Sequence, residues 1–295
     1  MSDSEAPLTQ IERWALEFGR FANERTVPKR VQSVFLRYVT RGWVQPLVGR
    51  RVLVEGLDWL LDYEPDRGVV VVSNHRSFYD MYMVMLCLYR LRARWVKHIA
   101  FPVRSTFFYE QPLGMLVNLL IGGYSMYPPI FRDRAKAALN KDGLERVVKA
   151  LEKSGMLIGL HPEGTRGKGP DPYQLLPAQP GVGQIVLQAQ PLVVPLFVNG
   201  LPGSSIVEGA VDSFRPHFRQ RKPVILVFGE LFDYSEFTQK KPRAALYKRC
   251  ADKMGAAISE LGERERAIRD ACARGDVLDD DPRWLNNYVR ARGGV

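Results

Sequence analysis

Residues 69–72 are four valines in a row, and they set the first constraint on the fold. β-Branched side chains favour extended backbone, and a strand without polar alternation leaves no face for water. It must be covered on both sides. The same demand recurs at 155–160 (GMLIGL), 191–198 (PLVVPLFV) and 222–231 (KPVILVFGEL). RRVLVEG (50–56) and ARWVKHIAF (93–101) read as further strands. Between them lie segments of helical spacing: 78–91, 134–153 and 181–190. In the second of these Ala135, Ala138, Leu139, Val147, Val148 and Leu151 carry the apolar stripe. Alternation of strands and helices predicts an α/β fold with a mostly parallel central sheet flanked by helices.

Two amphipathic helices are expected over 8–48. Ile11, Trp14, Ala15, Phe18 and Phe21 mark one stripe, and Val31, Val34, Phe35 and Tyr38 the other. Arg20, Arg25, Lys29, Arg30, Arg37 and Arg41 flank them, with Trp14 and Trp43 as candidate interface anchors. Two readings stand for this pair: an interfacial, membrane-binding element, or ordinary helices packed on the core. The chain then divides into 1–48, an α/β domain over 49–240, and a helical extension over 241–295 whose tail after Gly275 has no clear assignment.

A chain of 295 residues with 46% hydrophobic residues buries an ample core. Its net charge of +10 favours anionic partners: nucleic acid, anionic lipid or phosphorylated substrates. RLRARWVKH (90–98) and RPHFRQRK (215–222) are basic patches, yet no nucleic-acid motif accompanies them. Cys87, Cys250 and Cys272 are odd in number and unpaired in spacing. They support neither a disulfide scaffold nor a zinc ribbon, and fit a reducing, cytosol-facing compartment. The start, MSDSEAPLTQ, lacks the basic and apolar parts of a secretory leader. From Gln111 to Phe131 there is no charge, but Gly122, Gly123, Pro128 and Pro129 interrupt the run before it reaches membrane-spanning length. It reads either as a buried helix followed by a strand, or as a segment touching lipid or an acyl chain.

The valine strand exits into SNHRSFYD. His75 falls in the loop, and Asp80 in the first turn of the next helix, where Ser77 and Asp80 resemble a capping box. Such a turn folds the carboxylate back beside the imidazole. A carboxylate on one ring nitrogen fixes the tautomer and makes the other nitrogen a better base. The alternative is a helix cap next to a solvated histidine. A second strand exit, GLHPEGTRGKG, brings Glu163, Arg166 and Lys168 together; the Arg fork and the Lys charge suit a phosphate, and the alternative for this loop in isolation is a charged turn.

The two loops together carry a resemblance. NHRSFYD matches N-H-x4-D and HPEGTR resembles F-P-E-G-T-R, in the order and at the interval of the glycerolipid acyltransferases, the 1-acylglycerol-3-phosphate acyltransferase family. FRDRAKAAL resembles that family's I-D-R block and VVPLFV its V-P-V block, centred on Pro195. The resemblance spans roughly residues 50–230 and implies an acyltransferase catalytic domain. It implies His75 as general base, Asp80 as its orienting partner, Glu163, Gly164, Thr165 and Arg166 as binders of the glycerol-phosphate acceptor, and Arg134 as a further phosphate contact. His161 in place of Phe, Gly167 in place of Ser, and Arg132 in place of an apolar residue depart from the pattern.

The implied reaction moves a fatty acyl group from an acyl thioester, of coenzyme A or acyl carrier protein, to a hydroxyl of lysophosphatidate in phospholipid synthesis. A backbone N–H near the start of the following helix is the expected oxyanion donor. The chain lacks the G-x-S-x-G of a serine hydrolase. His75, His161 and Glu163 match no familiar ligand spacing, so no metal and no resident cofactor are expected. Glycerol 3-phosphate, another lyso-lipid and an amino-acid-based lyso-lipid stay open as acceptors, as does a non-catalytic anionic-lipid binder. The expected location is the cytoplasmic face of a membrane, peripheral or monotopic, against its anionic surface.

Overall fold

The structure is a computed structural model that describes residues 8–201 and 222–293; the side chain of Arg134 and most of the basic patch 215–222 lie outside the described residues. Six strands form the central sheet in the order β1 (Val52–Glu55), β8 (Val224–Phe228), β7 (Leu192–Asn199), β2 (Val69–Ser73), β6 (Met156–Leu160), β3 (His98–Ala100). Every neighbouring pair is parallel except β7 with β8. A two-stranded piece pairs β4 (Val103–Arg104) with β5 (Pro129–Ile130).

Alternate residues of each strand feed two different cores, which explains the unbroken valines. Val69 and Val71 pack with helices α3 (Arg41–Val48) and α5 (Asp80–Arg90) on one face. Val70 and Val72 pack on the other with α8 (Ala137–Leu151), α9 (Pro180–Ala189) and the long helix Ala244–Arg274. Helix α5 is buried from Asp80 to Tyr89, so no polar stripe marks it in the sequence. The C-terminal tail, without assignment in the sequence, lays Trp284 against Leu53 as an antiparallel bridge, and Val54 N–H donates to the Arg283 carbonyl at 2.8 Å.

The expected strand 93–101 is shorter than its pattern: only His98–Ala100 pairs, because residues 93–96 form a turn in which Val96 N–H donates to the Ala93 carbonyl at 3.3 Å. The uncharged stretch also departs from the buried-helix reading. Helix α7 (Pro112–Gly122) turns Gly114, Asn118 and Gly122 inward and leaves Leu113 (64% exposed), Leu116, Leu119 and Leu120 (59%) outward. Only glycine fits at position 114, where an added Cβ would lie 1.7 Å from the Phe107 carbonyl oxygen.

Helices α1 (Gln10–Glu24) and α2 (Thr26–Phe35) are inverted in the same sense. Glu12, Ala15, Leu16, Gly19 and Ala22 face inward on α1, and Lys29 and Gln32 on α2. Trp14 (67% exposed), Phe18, Phe21, Val27, Val31 (64%) and Val34 face outward. Polar tethers fix this orientation. Thr9 and Glu12 form a reciprocal capping box, Glu12 pairs with Lys136, and Lys29 Nζ donates to Asn23 Oδ1, Gln32 Oε1 and the Ile99 carbonyl at 2.7–2.9 Å. Trp43, by contrast, is half-buried against the core. No described helix is long and apolar enough to cross a membrane.

Candidate active site

Strands β2 and β6 are neighbours, with Val72 opposite Leu160, so their exit loops emerge side by side at the carboxyl end of the sheet. That register brings the His75 loop against the 161–169 turn. Gly167 N–H donates to the His75 carbonyl at 2.8 Å, and His75 N–H to Glu163 Oε1 at 2.7 Å. Leu176 N–H donates to the other Glu163 oxygen at 2.8 Å. Glu163 is thus a buried clamp holding the His75 peptide, a different task from the acceptor contact that the resemblance implies. Burial raises its pKa and the two backbone donors oppose that rise. Gly164 closes the turn at φ 61°, in the left-handed region that glycine accepts without strain.

His75 Nδ1 lies 3.1 Å from Asp80 Oδ2. The same oxygen accepts the Arg76 and Ser77 N–H groups, each at 2.9 Å. Asp80 therefore folds back as expected, but the capping box is only half formed: Ser77 Oγ accepts from Tyr79 N–H rather than serving as N-cap. The Arg76 and Ser77 amides of the loop before α5 are both taken up by Asp80, so these two do not serve as oxyanion donors. Burial pushes Asp80 up to about 6, against His161 and the two amides, which leaves it ionised at neutral pH. Burial, then the charges of Arg166 and Arg104, push His75 down to about 3. The resting pair is a neutral imidazole with its Nδ1 proton directed at a carboxylate, and Nε2 remains for proton transfer.

Two groups hold this loop in place, the buried Asn74 and the half-buried His161. The Asn74 side chain pairs with the backbone of Val198 in both directions, at 2.9 and 2.8 Å, and so extends the β2–β7 ladder beyond its last residue. His161 stacks on His75, with ring centroids 3.9 Å apart and planes 11° apart. His75, Asp80 and His161 present potential ligand atoms within 4.8 Å of one another. In nearly parallel rings the in-plane lone pairs run side by side, and do not converge on the tetrahedral point that zinc prefers.

The cations gather as the second loop predicted, with additions. Arg166 and Lys168 are exposed and Thr165 half-buried at the turn. Arg104, which the sequence reading passed over, reaches the Gly164 carbonyl at 3.0 Å. Burial, then the charges of Arg132 and Arg166, depress its pKa; Arg132 lies two residues beyond Ile130, the β5 partner of Arg104. Arg76 donates to the Gly169 carbonyl at 2.7 Å and ties the two loops from outside. Beside this face Phe78 stacks on Phe108 at 5.4 Å. Behind Glu163 lies a cavity of about 240 Å³ lined by Ser73, Asn74, Glu163, Leu176, Asp252 and Ser259, among others; His75 is not part of its wall.

A family model described as Acyltransferase matches residues 51–199, half of the chain, and takes in both loops. The chain belongs to the Acyltransferase family. The family's acyl transfer gives this constellation its chemical meaning: an acyltransferase needs an acyl donor, an acceptor, and a group to take the acceptor's proton. Among solved structures the chain is similar to the 1-acyl-sn-glycerophosphate (LPA) acyltransferase PlsC from Thermotoga maritima, at 20% identity and a TM-score of 0.45, over 85% of this chain and 96% of that one. A search of curated proteins gives no match.

Proposed function

We propose that this acyltransferase moves a fatty acyl group from an acyl thioester of coenzyme A or acyl carrier protein to the free hydroxyl of lysophosphatidate. One observation carries the reading: a neutral, carboxylate-held histidine stands beside a cluster of guanidinium groups. A base alone would serve any alcohol; the cations favour one that carries a phosphate.

In the proposed step His75 Nε2 takes the hydroxyl proton as the acceptor oxygen attacks the thioester carbonyl. Asp80 stabilises the imidazolium that forms. The tetrahedral intermediate then collapses, the C–S bond breaks, and the imidazolium returns the proton to the departing sulfur. The products are an ester and a free thiol. Positioned general-base chemistry of this kind contributes about 10²–10⁴-fold. Arg166, Arg104 and Arg132 hold the phosphate, with Lys168 at the rim and Arg134 in the role its block implies; Gly164 and Thr165 shape the turn beneath it.

The outward apolar faces of α1, α2 and α7 suit a lipid surface from which both substrates are drawn, and the net charge of +10 favours an anionic one. The protein is accordingly read as peripheral on the cytoplasmic face of a membrane, acting in phospholipid synthesis.

The phosphate assignment is tested by comparing lysophosphatidate with monoacylglycerol, for wild type and Arg166→Ala. The phosphate acceptor should be preferred, and the substitution should raise its KM by about tenfold while leaving monoacylglycerol unchanged, as removal of one charged hydrogen bond predicts. Equal use of the two acceptors by the wild type would remove the phosphate from the reading.

A further inference from the structure

His161 occupies the position where the P-E-G-T-R motif begins with phenylalanine in the pattern described above, and its ring lies on the ring of His75. Its Nδ1 is 3.1 Å from the Ser73 carbonyl oxygen, 3.0 Å from the Asn74 carbonyl oxygen and 3.2 Å from Ser73 Oγ. Ser73 Oγ itself donates to the Asn74 carbonyl at 3.0 Å. Carbonyl oxygens accept only, so His161 Nδ1 carries the proton. A phenyl ring would stack but could not make these bonds. Ser73 and Asn74 are the two residues before His75, so the stacked ring is tethered to the stretch of backbone that carries the base.

We propose that His161 is a positioning residue: tethered to the Ser73 and Asn74 carbonyls, its ring fixes the plane of the His75 ring and keeps water off one of its faces. The proposal rests on His75 acting as the base. His161 makes no claim on the transferred proton, because stacked rings do not aim their nitrogens at each other. Its contribution is geometric. A base whose ring swings by an ångström no longer meets the hydroxyl proton, a loss of about 10²-fold in comparable cases. It is also one of dielectric, since burial is the largest influence on the His75 imidazole. The charged groups around the pair are Asp80 from α5, Arg104 from β4, Glu163 and Arg166 from the turn after β6, and Arg76 from the loop itself.

Three substitutions separate ring from tether. His161→Phe keeps the ring and loses the tether. His161→Asn keeps an N–H near the Nδ1 position and loses the ring. His161→Ala loses both. Two readouts are taken: kcat and KM with acyl-CoA and lysophosphatidate, and the titration of the His75 imidazole followed by NMR. His75 is one of four histidines and is assigned with His75→Gln. With Ala and Asn, kcat should fall by about 10–100-fold with both KM values within about threefold, and with Phe by less than about tenfold. The His75 titration should move up by about one pH unit or more in Ala and Asn, as water reaches the exposed face, and by less in Phe.

Ala at wild-type kcat with an unchanged His75 titration would overturn the proposal. So would a loss confined to KM, or one that disappears when activity is referred to the folded fraction measured by thermal unfolding. If the wild type transfers acyl to no acceptor, the function reading fails instead. The NMR titration then still decides the placement of His161: an upward shift in Ala supports it and an unchanged one overturns it.

Discussion

Asp80 Oδ2 accepts three hydrogen bonds, and two of them come from the backbone of the loop that carries His75. One carboxylate oxygen thereby sets the tautomer of His75 and the shape of its loop. The pH dependence follows from the same contacts. Burial places Asp80 at about 6 and His75 at about 3, so as pH falls the pair takes its first proton on or through Asp80. A neutral carboxyl no longer supports an imidazolium. The expected outcome is a one-proton fall of kcat/KM on the acid side, centred near pH 6. A flat profile down to pH 4.5 would contradict this account of the pair. H-x4-D and P-E-G-T-R are local patterns, so these residues were legible in the sequence. Arg104 was not: it sits on a two-residue strand, and only the pairing of Arg104 opposite Ile130 brings it near Arg132.

At the scale of elements, the strands were read from apolar runs, and their convergence follows from the β2–β6 register. The helices of 8–48 and 112–122 were harder, because hydropathy does not say which side packs. In α7 the inward stripe is Gly114, Asn118 and Gly122, chosen for close approach, and the leucines are left outside. In α2 the inward residues are Lys29 and Gln32. Lys29 has three acceptors, none of them a carboxylate, and burial lowers its pKa from 10.5 to about 7. Between pH 7 and 10.5 the unfolded chain holds a proton on Lys29 that the folded chain has released. Stability contributed by Lys29 therefore rises with pH across that window, as the penalty for burying the charge is relieved. Lys29→Met takes a donor from three acceptors, of which Asn23 Oδ1 keeps Gln32 Nε2, and should destabilise by about 1–3 kcal/mol at pH 9, and by less at pH 7. Chemical denaturation at the two pH values measures this; an equal loss at both would mean that the lysine stays charged in the fold.

The whole molecule is a sheet covered on both faces, its site at the carboxyl end of β2 and β6, and helices with outward apolar faces at its N-terminal side. Trp14, Phe18 and Phe21 lie on one such face. Replacing all three with Glu should lower thermal stability only modestly, because Trp14 and Phe21 are exposed and Phe18 gives up one edge contact with Tyr124. It should cut co-sedimentation with phosphatidylglycerol-containing vesicles by at least about tenfold, since three apolar anchors are lost and negative charge is added. Undiminished vesicle binding would move the docking surface elsewhere. The proposed catalyst differs from a mere lipid binder in the His75–Asp80 pair, for which a binder has no use.

The central claim is tested most directly by thiol release from a long-chain acyl-CoA, with and without lysophosphatidate, for wild type and His75→Ala. Acyl carrier protein thioester replaces acyl-CoA if no thiol appears. The account predicts acceptor-dependent release by the wild type and a loss of about 10²–10⁴-fold in the variant, with vesicle binding intact. Release that persists in His75→Ala, or a wild type inactive with both donors, would contradict it.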